Sequence, residues 1–472
     1  MHSTVTEYLS QLSSLTFQTL YLVGGSVRDL LLHKQDVRDI DVIIQSGSEA
    51  IARVFADKTG GNFFFLDEKR KITRVVKHSD IGVVQFDFAD FAGHDLAADL
   101  GRRDFTINAM ALELKEFLKN QTAKNVIDLF QGREDIRERL VRVIKPEVLD
   151  DDPLRLLRAV RFAATLNFTL EQDTAECIRE RAERISESSP ERVRDELFLI
   201  LSELNVEEHL HRIHSLGLLM SMFPELVPLR GFTPGMYNGH DVLTHSLKTV
   251  GYLDAVLNNL ESISPEYAKT VFNHLEEPLE NFISRKAALR FACLLHDIAK
   301  PETFSDREGR IRFHDHDNLG AIKASQVCQR LRLSRDSEKL ITGVIKYHMR
   351  LFNLSTSGGP SKNALYRYCR DMGAALPESL LLAQADARAT SEVMPKEKFS
   401  DTEKTMKTVL EYYYSKFLKV EMRPLITGQD LINLGLTPGP RFREILDDIK
   451  EQQAEGILQA KRNAIEYIKK RL

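Results

Sequence analysis

Cysteine is scarce in this sequence: four residues in 472, Cys177, Cys293, Cys328 and Cys369, with no Cys-X-X-Cys pair. That disfavours a zinc–thiolate centre and fits reduced thiols in a cytoplasmic protein. Long apolar runs are also missing. No stretch approaches the roughly 20 residues that a membrane helix requires, so no membrane contact is expected. The opening MHSTVTEYLSQL has neither a basic start nor an extended apolar core, unlike a secretory signal. Nor is there an excess of charge of one sign, the formal net charge being −4. A uniformly basic nucleic-acid coat is therefore excluded, while local basic patches are not. One is the segment KRNAIEYIKKRL from Lys461, with five Lys/Arg against one Glu.

What is present is unevenly organised. The hydrophobic fraction of 43% is ordinary for a globular protein, and the length suffices for roughly three domains. Residues 1–22 read as a short helix and then a strand, TLYLV. From Val42 to about Ala111, β-like runs alternate with turns: NFFFLD, ITRVV, GVVQFDFADF. Beyond about Asp128 the pattern becomes helix after helix, as in LRLLRAVRFAATL and ERVRDELFLILSEL. Polar breaks fall at SESSP (186–190), FTPGMYNG (232–239), NLSTSGGPS (353–361) and TPGP (437–440). The expected class is α+β: an α/β head over residues 1–140, a helical neck over 141–232, a His-rich helical block over 233–400 and a helical tail over 401–472.

Residues 23–44, VGGSVRDLLLHKQDVRDIDVII, carry the first chemistry. Asp39 and Asp41 are two apart on an expected strand and so face the same way. Adjacent carboxylates repel unless a cation lies between them, and oxygen ligands of this kind suit Mg²⁺ bound together with phosphates. Gly24-Gly25-Ser26 before a helix lets backbone N–H groups approach an anion. Arg28, on the first turn, adds a charge-assisted donor. A lone Asp-X-Asp is usually a solvated edge, and a lone Gly-Gly-Ser a surface turn. Their combination in this order points to a metal–phosphate site.

GGSVRDLLL…DID resembles the signature of polymerase β-like nucleotidyltransferases, and within them the class II tRNA nucleotidyltransferase/poly(A) polymerase family. Further motifs follow in that family's order: RRDFTIN (102–108), DLFQG (128–132) as its hinge, DDPLR (151–155) followed by LLRAVRFAA, and ERVRDE (191–196). The resemblance covers at least residues 20–200. It implies that Asp39 and Asp41 hold two Mg²⁺, one activating an RNA 3′-hydroxyl and the other stabilising departing pyrophosphate. Asp87, in VVQFDFADF, is a candidate third carboxylate, the alternative being an exposed strand residue. Arg103, Asp104 and Asn108 of RRDFTIN, with Arg158 after the DDPLR motif, are implied nucleotide contacts.

In DDPLR, Asp152 before Pro153 also reads as a helix N-cap. Asp152 and Arg155, three apart, are expected on one helical face. A carboxylate accepts from an exocyclic amine, and a guanidinium donates to a ring nitrogen. Cytosine and adenine both present an amine beside an acceptor nitrogen, whereas uracil and guanine present the reverse. The pair would thus accept C and A and reject U and G. The family has Glu where this sequence has Asp151, which leaves the proposed pair intact.

Histidines concentrate in the third segment: HDVLTHSL, LLHDIAKP, FHDHDNLGA and IKYHM, followed by AQADARAT. The order resembles an HD-type phosphohydrolase. It implies His245, His296, Asp297 and Asp386 as core ligands of a divalent metal (Mg²⁺, Mn²⁺ or a transition metal), with His316 and His348 as further ligands. Its substrates would be phosphoesters such as 2′,3′-cyclic phosphates at RNA ends. Active hydrolase and degenerate scaffold both remain open.

The expected activity is template-independent addition of C and A to the 3′ end of tRNA from CTP and ATP. CC-only addition, A-only addition and polyadenylation are alternatives, as is an HD phosphohydrolase with an RNA-binding head. LDEKRKITRVV (66–76) is expected to be a flexible element, and the C-terminal helices to dock RNA or simply to pack. Monomer and dimer remain open.

Overall fold

The computed structural model describes residues 2–34, 36–234, 239–308, 310–355, 359–391, 396–419 and 423–470. The sequence breaks at 232–239 and 353–361 fall partly outside these residues. The described chain contains two compact units, Met1–Ser189 with Ser215–Ser221, and Pro190–His214 with Met222–Leu472.

The first unit opens with α1 (Ser3–Ser13), β1 (Tyr21–Val23), α2 (Gly24–Leu31), β2 (Asp39–Ile44) and α3 (Ser48–Thr59). Five strands follow: β3 (Asn62–Asp67), β4 (Ile72–Ser79), β5 (Gly82–Asp90), β6 (Met110–Glu113) and β7 (Ile127–Asp128). All seven strands join one sheet in the order β3-β4-β5-β2-β1-β6-β7. The β2–β5 ladder is parallel and the others antiparallel. Its register sets Asp41 beside Asp87.

Alternation along β2 decides what each face does. Ile40, Val42 and Ile44 are buried in the core with α1 and α3. Asp39, Asp41 and Ile43 therefore share the other face. Ile43 packs there with Val23, Leu100 and Ala111. On the core side Phe55 meets Phe86 and Phe88 with ring centroids 4.9 and 5.7 Å away. Each such ring contributes about 1.5–3 kcal/mol through burial. The two aspartates thus stand on a strand anchored by its apolar positions.

The stretch 66–76 is the end of β3, a turn and the start of β4, with Lys71 at φ 53° closing the turn. Its β-branched run Ile72-Thr73…Val75-Val76 favours a paired strand.

Helices dominate the second unit. Those that carry its chemistry are Val242–Asn258, Arg285–Leu295, His316–Arg330, Arg335–Tyr347 and Leu376–Ser391. Ala287 through Leu295 are all buried. Within that run Arg290 donates to the Leu201 and Glu203 carbonyls, both at 2.8 Å, and to Asp254 at 2.6 Å. It thereby satisfies carbonyls at the end of the helix Pro190–Ser202. Two small hairpins interrupt the helical pattern, Pro278–Glu280 with Ile283–Ser284 and Phe304–Arg307 with Arg310–Phe313. In the latter Phe304 pairs with Phe313, Ile311 lies two residues before Phe313 on the same face, and Glu308 takes a left-handed turn at φ 56°.

The tail helices Gly428–Asn433, Pro440–Ala454 and Lys461–Lys469 enclose a small core of Ile426, Leu431, Ile449, Leu458, Ala464 and Ile468. Among the described residues, no helix is long and apolar enough to cross a membrane.

Candidate active sites

The head site begins where β1 becomes α2. Val23 arrives extended, and Gly24 turns the chain at φ 65°. A Cβ on Gly24 would lie 2.8 Å from an Asp41 carboxylate oxygen and 3.2 Å from an Arg103 guanidinium nitrogen. Only glycine meets both demands. Gly24→Ala is therefore expected to displace Asp41 and lower nucleotide incorporation on the order of 100-fold, a loss to be checked by single-turnover extension.

Ser26 lies in the same motif, but its hydroxyl accepts from the Asp41 N–H at 2.8 Å and donates to the Asp39 carbonyl at 3.2 Å. It fastens the start of β2 to α2. Arg28, expected on the first turn, lies one turn deeper. It is buried and donates to Asn108 Oδ1 at 2.8 Å and Asp29 Oδ1 at 2.9 Å.

The structure brings Asp39, Asp41 and Asp87 together on neighbouring strands around a cavity of about 530 Å³. Burial, opposed by Arg103 and reinforced by Asp87 and Asp39, pushes the Asp41 carboxyl up to about 6. A desolvated carboxylate beside two like charges fits a cation site, because a divalent ion there would remove the repulsion. Asp87 also takes a two-pronged bond from Arg74, at 2.6 and 2.7 Å. Sequence reasoning missed Arg74, whose position opposite Asp87 depends on the β4–β5 register.

Facing the carboxylates are Arg28, Arg103, Arg155, Arg158 and Arg161. Asp104 organises part of this wall. Burial acts to raise its carboxyl, but Arg158 together with hydrogen bonds from Asn108, Arg158 and Phe105 holds it below the usual range. The contacts run at 2.7 and 3.1 Å from Arg158, 3.0 Å from Asn108 Nδ2 and 2.8 Å from the Phe105 N–H. Arg28, Asn108, Asp104 and Arg158 thus form one hydrogen-bonded chain. Arg103 is held separately by Asp99, at 3.0 and 3.1 Å.

DLFQG supports this wall from behind. Asp128 accepts from the N–H groups of Phe130, Gly132 and Arg133 at 3.3, 2.9 and 2.9 Å. A Cβ on Gly132 would lie 2.3 Å from the Thr106 carbonyl oxygen. The motif is capped by Asp128 and packs closely against RRDFTIN.

The expectation that Asp152 and Arg155 share a helical face is corrected. The helix begins at Arg155, and Asp152 lies outside it in an extended conformation, φ −149° and ψ 96°. The following Pro153 disfavours the helical region for Asp152. Its carboxylate accepts from the Leu154 N–H at 3.3 Å and its carbonyl from the Arg155 N–H at 3.0 Å. Arg155 lines the cavity and donates to the carbonyls of Val148 at 2.9 Å and Arg102 at 3.1 Å. Asp152 is one of the charges acting on Arg155 but does not line the cavity.

Arg161 and Phe162 were missed by sequence reasoning. Guanidinium carbons of Arg28, Arg158 and Arg161 stand 5.3, 5.2 and 3.9 Å from the Phe162 ring centre. The signal was the three-residue spacing of Arg155, Arg158 and Arg161 along one helix.

In the second unit, five helices and their ends bring the sequence-predicted His/Asp set together. His245, His296 and Asp386 form one trio, and Asp297, His316 and His348 another. Asp297 lies between them. Its Oδ2 is 3.2 Å from His296 Nε2 and 3.6 Å from His245 Nε2, while its Oδ1 is 3.9 Å from both His316 and His348 Nε2. Lys300 Nζ stands 2.5 Å from Oδ2.

His296, His316 and His348 each direct Nδ1 at the carbonyl three residues earlier, at 2.8, 2.9 and 2.6 Å. That assigns the proton to Nδ1 in the neutral rings and presents Nε2 inward as a lone pair, the arrangement metal-ligating imidazoles use. His296 Nε2 is buried near Asp297 and Asp386 oxygens but has no hydrogen bond. A divalent ion fits this donor set. Asp241, in the same histidine-rich stretch, instead caps the helix Val242–Asn258 through the Thr244 N–H at 2.8 Å.

Family models match in the same order along the chain. The poly A polymerase head domain matches residues 20–142, the probable RNA and SrmB-binding site of polymerase A matches 167–229, and the HD domain matches 242–391. The A-adding tRNA nucleotidyltransferase of Deinococcus radiodurans is 33% identical over 446 residues, covering 92% of this chain and 91% of that protein. The CC-adding tRNA nucleotidyltransferase of Thermus thermophilus is 31% identical over 457 residues, covering 94% and 92%. A CCA-adding enzyme solved with CTP shares the fold at a TM-score of 0.64 and 23% identity, covering 98% of this chain and 94% of that one. With the head motifs, the HD constellation and relatives that align along nearly its whole length, the chain belongs to the tRNA nucleotidyltransferase/poly(A) polymerase family.

Proposed function

We propose that this protein is a CCA-adding tRNA nucleotidyltransferase, extending the tRNA 3′ end from CTP and ATP without a nucleic-acid template. The observation that carries the reading is the facing of Asp39, Asp41 and Asp87 against a wall of arginines in one cavity. In this reading residues 1–140 perform the chemistry, 141–232 select the nucleotide and bind RNA, 233–400 form the HD domain and 401–472 contribute to tRNA contact.

Mg²⁺ held by Asp39 and Asp41 would supply Lewis-acid polarisation of the α-phosphate and acidify the attacking hydroxyl. The chain's own residues do the rest. Arg28, Arg103 and Arg158, each preset by an internal acceptor, bind the triphosphate oxygens. Gly24 and Gly25 let backbone approach it. Arg155, which lines the cavity, donates toward the ring-nitrogen acceptor that cytosine and adenine share. The hydrogen-bonded chain through Asn108 and Asp104 keeps two guanidiniums in place before substrate arrives, so little reorganisation accompanies the reaction.

The test is single-nucleotide extension of three tRNA transcripts, ending at the discriminator base, at C and at CC, with CTP and ATP separately and together. Ordered growth to CCA followed by arrest is the expected outcome. Addition of A alone to the CC-ending transcript, or arrest at CC, would replace the full reading with the activity named for the Deinococcus or the Thermus relative. Long A tails would replace it with polyadenylation.

The HD domain is proposed to hydrolyse phosphoesters at damaged RNA 3′ ends. Support comes from the convergence of six ligating side chains and the inward Nε2 atoms.

A further inference from the structure

A second depression in the head lies at the far end of α2 from Gly24, about 12 Å along the helix axis. It encloses about 780 Å³. Lys34, Lys124, Arg133 and Arg137 line it over a floor that includes Phe117 and Ile136, and none of its lining residues is acidic. Two neighbouring carboxylates offset part of that charge: Asp29 pairs with Lys34 at 3.3 Å, and Glu134 pairs with Arg137. Arg133 donates to the Lys124 carbonyl at 3.3 Å, and the nearby Asp128 carboxylate is engaged with backbone N–H groups. The basin therefore keeps a local cationic excess in a chain whose net charge is −4.

We infer that this basin binds RNA backbone phosphates of the tRNA substrate, at a place other than the 3′ end being extended. Its cations sit on long side chains that are exposed at Lys34, Lys124, Arg133 and Arg137. Such groups grip phosphates without reading sequence. Phe117 is only 3% exposed, so it offers no open face for stacking a base. That disfavours a free nucleotide and favours a stretch of backbone. The site would contribute affinity and salt sensitivity rather than base choice.

The inference rests on the tRNA reading above, and the experiment separates the two. The full-length protein and a variant carrying Lys124→Gln, Arg133→Gln and Arg137→Gln are titrated with labelled tRNA lacking CCA over a salt series. Lys34 is left unchanged, because its partner Asp29 also holds Arg28. The variant is expected to bind tRNA at least about tenfold more weakly at low salt, with a log K against log salt slope shallower by about 2 to 3. CTP affinity and extension of a short acceptor-stem RNA should be unchanged. Equal affinity and slope in the two proteins would overturn the inference while leaving the activity in place. Failure of the unaltered protein to extend any tRNA would overturn the activity itself. A measurement without substitution guards against misfolding: saturating tRNA is expected to protect Lys124 from acetylation, read by mass spectrometry, and its absence overturns the inference too.

Discussion

Asp41→Asn is expected to lower nucleotide incorporation by at least about 1,000-fold and at the same time to stabilise the metal-free protein at neutral pH. Both effects come from one cause. Asp41 lies beside Asp39 and Asp87 on a partly dry sheet face, and burial chiefly lifts its carboxyl from 3.8 to about 6. The folded protein thus binds more protons than the unfolded chain between those values. Stability falls as pH rises from about 4 to about 6 and stays lower above that. A lift of this size corresponds to a penalty of up to about 3 kcal/mol. Asparagine carries no charge to desolvate. In EDTA, the melting temperature of the variant should exceed that of the unaltered protein by several degrees at pH 7.5, and the gap should close near pH 4. Mg²⁺ should then raise the melting temperature of the unaltered protein alone. A variant retaining a tenth of the incorporation rate, or a gap that persists at pH 4, would contradict the assignment of Asp41.

Asp297→Asn should remove any phosphoesterase activity by at least about 1,000-fold while CTP and ATP incorporation changes less than about twofold. Asp297 is fully buried between the two His/Asp trios, with Lys300 at 2.5 Å. Neutralising Asp297 removes the buried carboxylate that faces Lys300 and is expected to cost about 3 kcal/mol or more in the second unit. His316→Gln serves as the companion variant, because it removes one imidazole while keeping Asp297 and its lysine. The measurement is release of phosphate or ring-opened product from a 2′,3′-cyclic phosphate RNA, before and after chelation and with individual divalent ions restored. Unchanged hydrolysis in both variants would show that the activity comes from elsewhere.

What was legible in the sequence follows a physical pattern. Asp39 and Asp41 could be placed on one face because strand periodicity is local. The His/Asp set could be grouped because its spacing resembles a known constellation, even though five helices are needed to assemble it. Arg74 was not legible, since its bond to Asp87 depends on a cross-strand register that local periodicity does not set. Helical spacing does not carry across a proline, and Pro153 turns Asp152 away from the helix. Residues 66–76 hold the end of NFFFLD and all of ITRVV, two runs legible as β-like from their composition, and these pair as a hairpin.

The division of the chain has a consequence for synthesis on the ribosome. The first unit is not finished at Ser189, because it also uses Ser215–Ser221, while Pro190–His214 belongs to the second. A nascent chain that has emerged through Ser189 must wait for about 30 further residues, roughly 2–6 s at ordinary elongation rates, before its last segment exists. During that interval the nucleotide cavity is already encoded but its unit is incomplete. A single cut after Ser189 would likewise release a fragment lacking one of its own pieces.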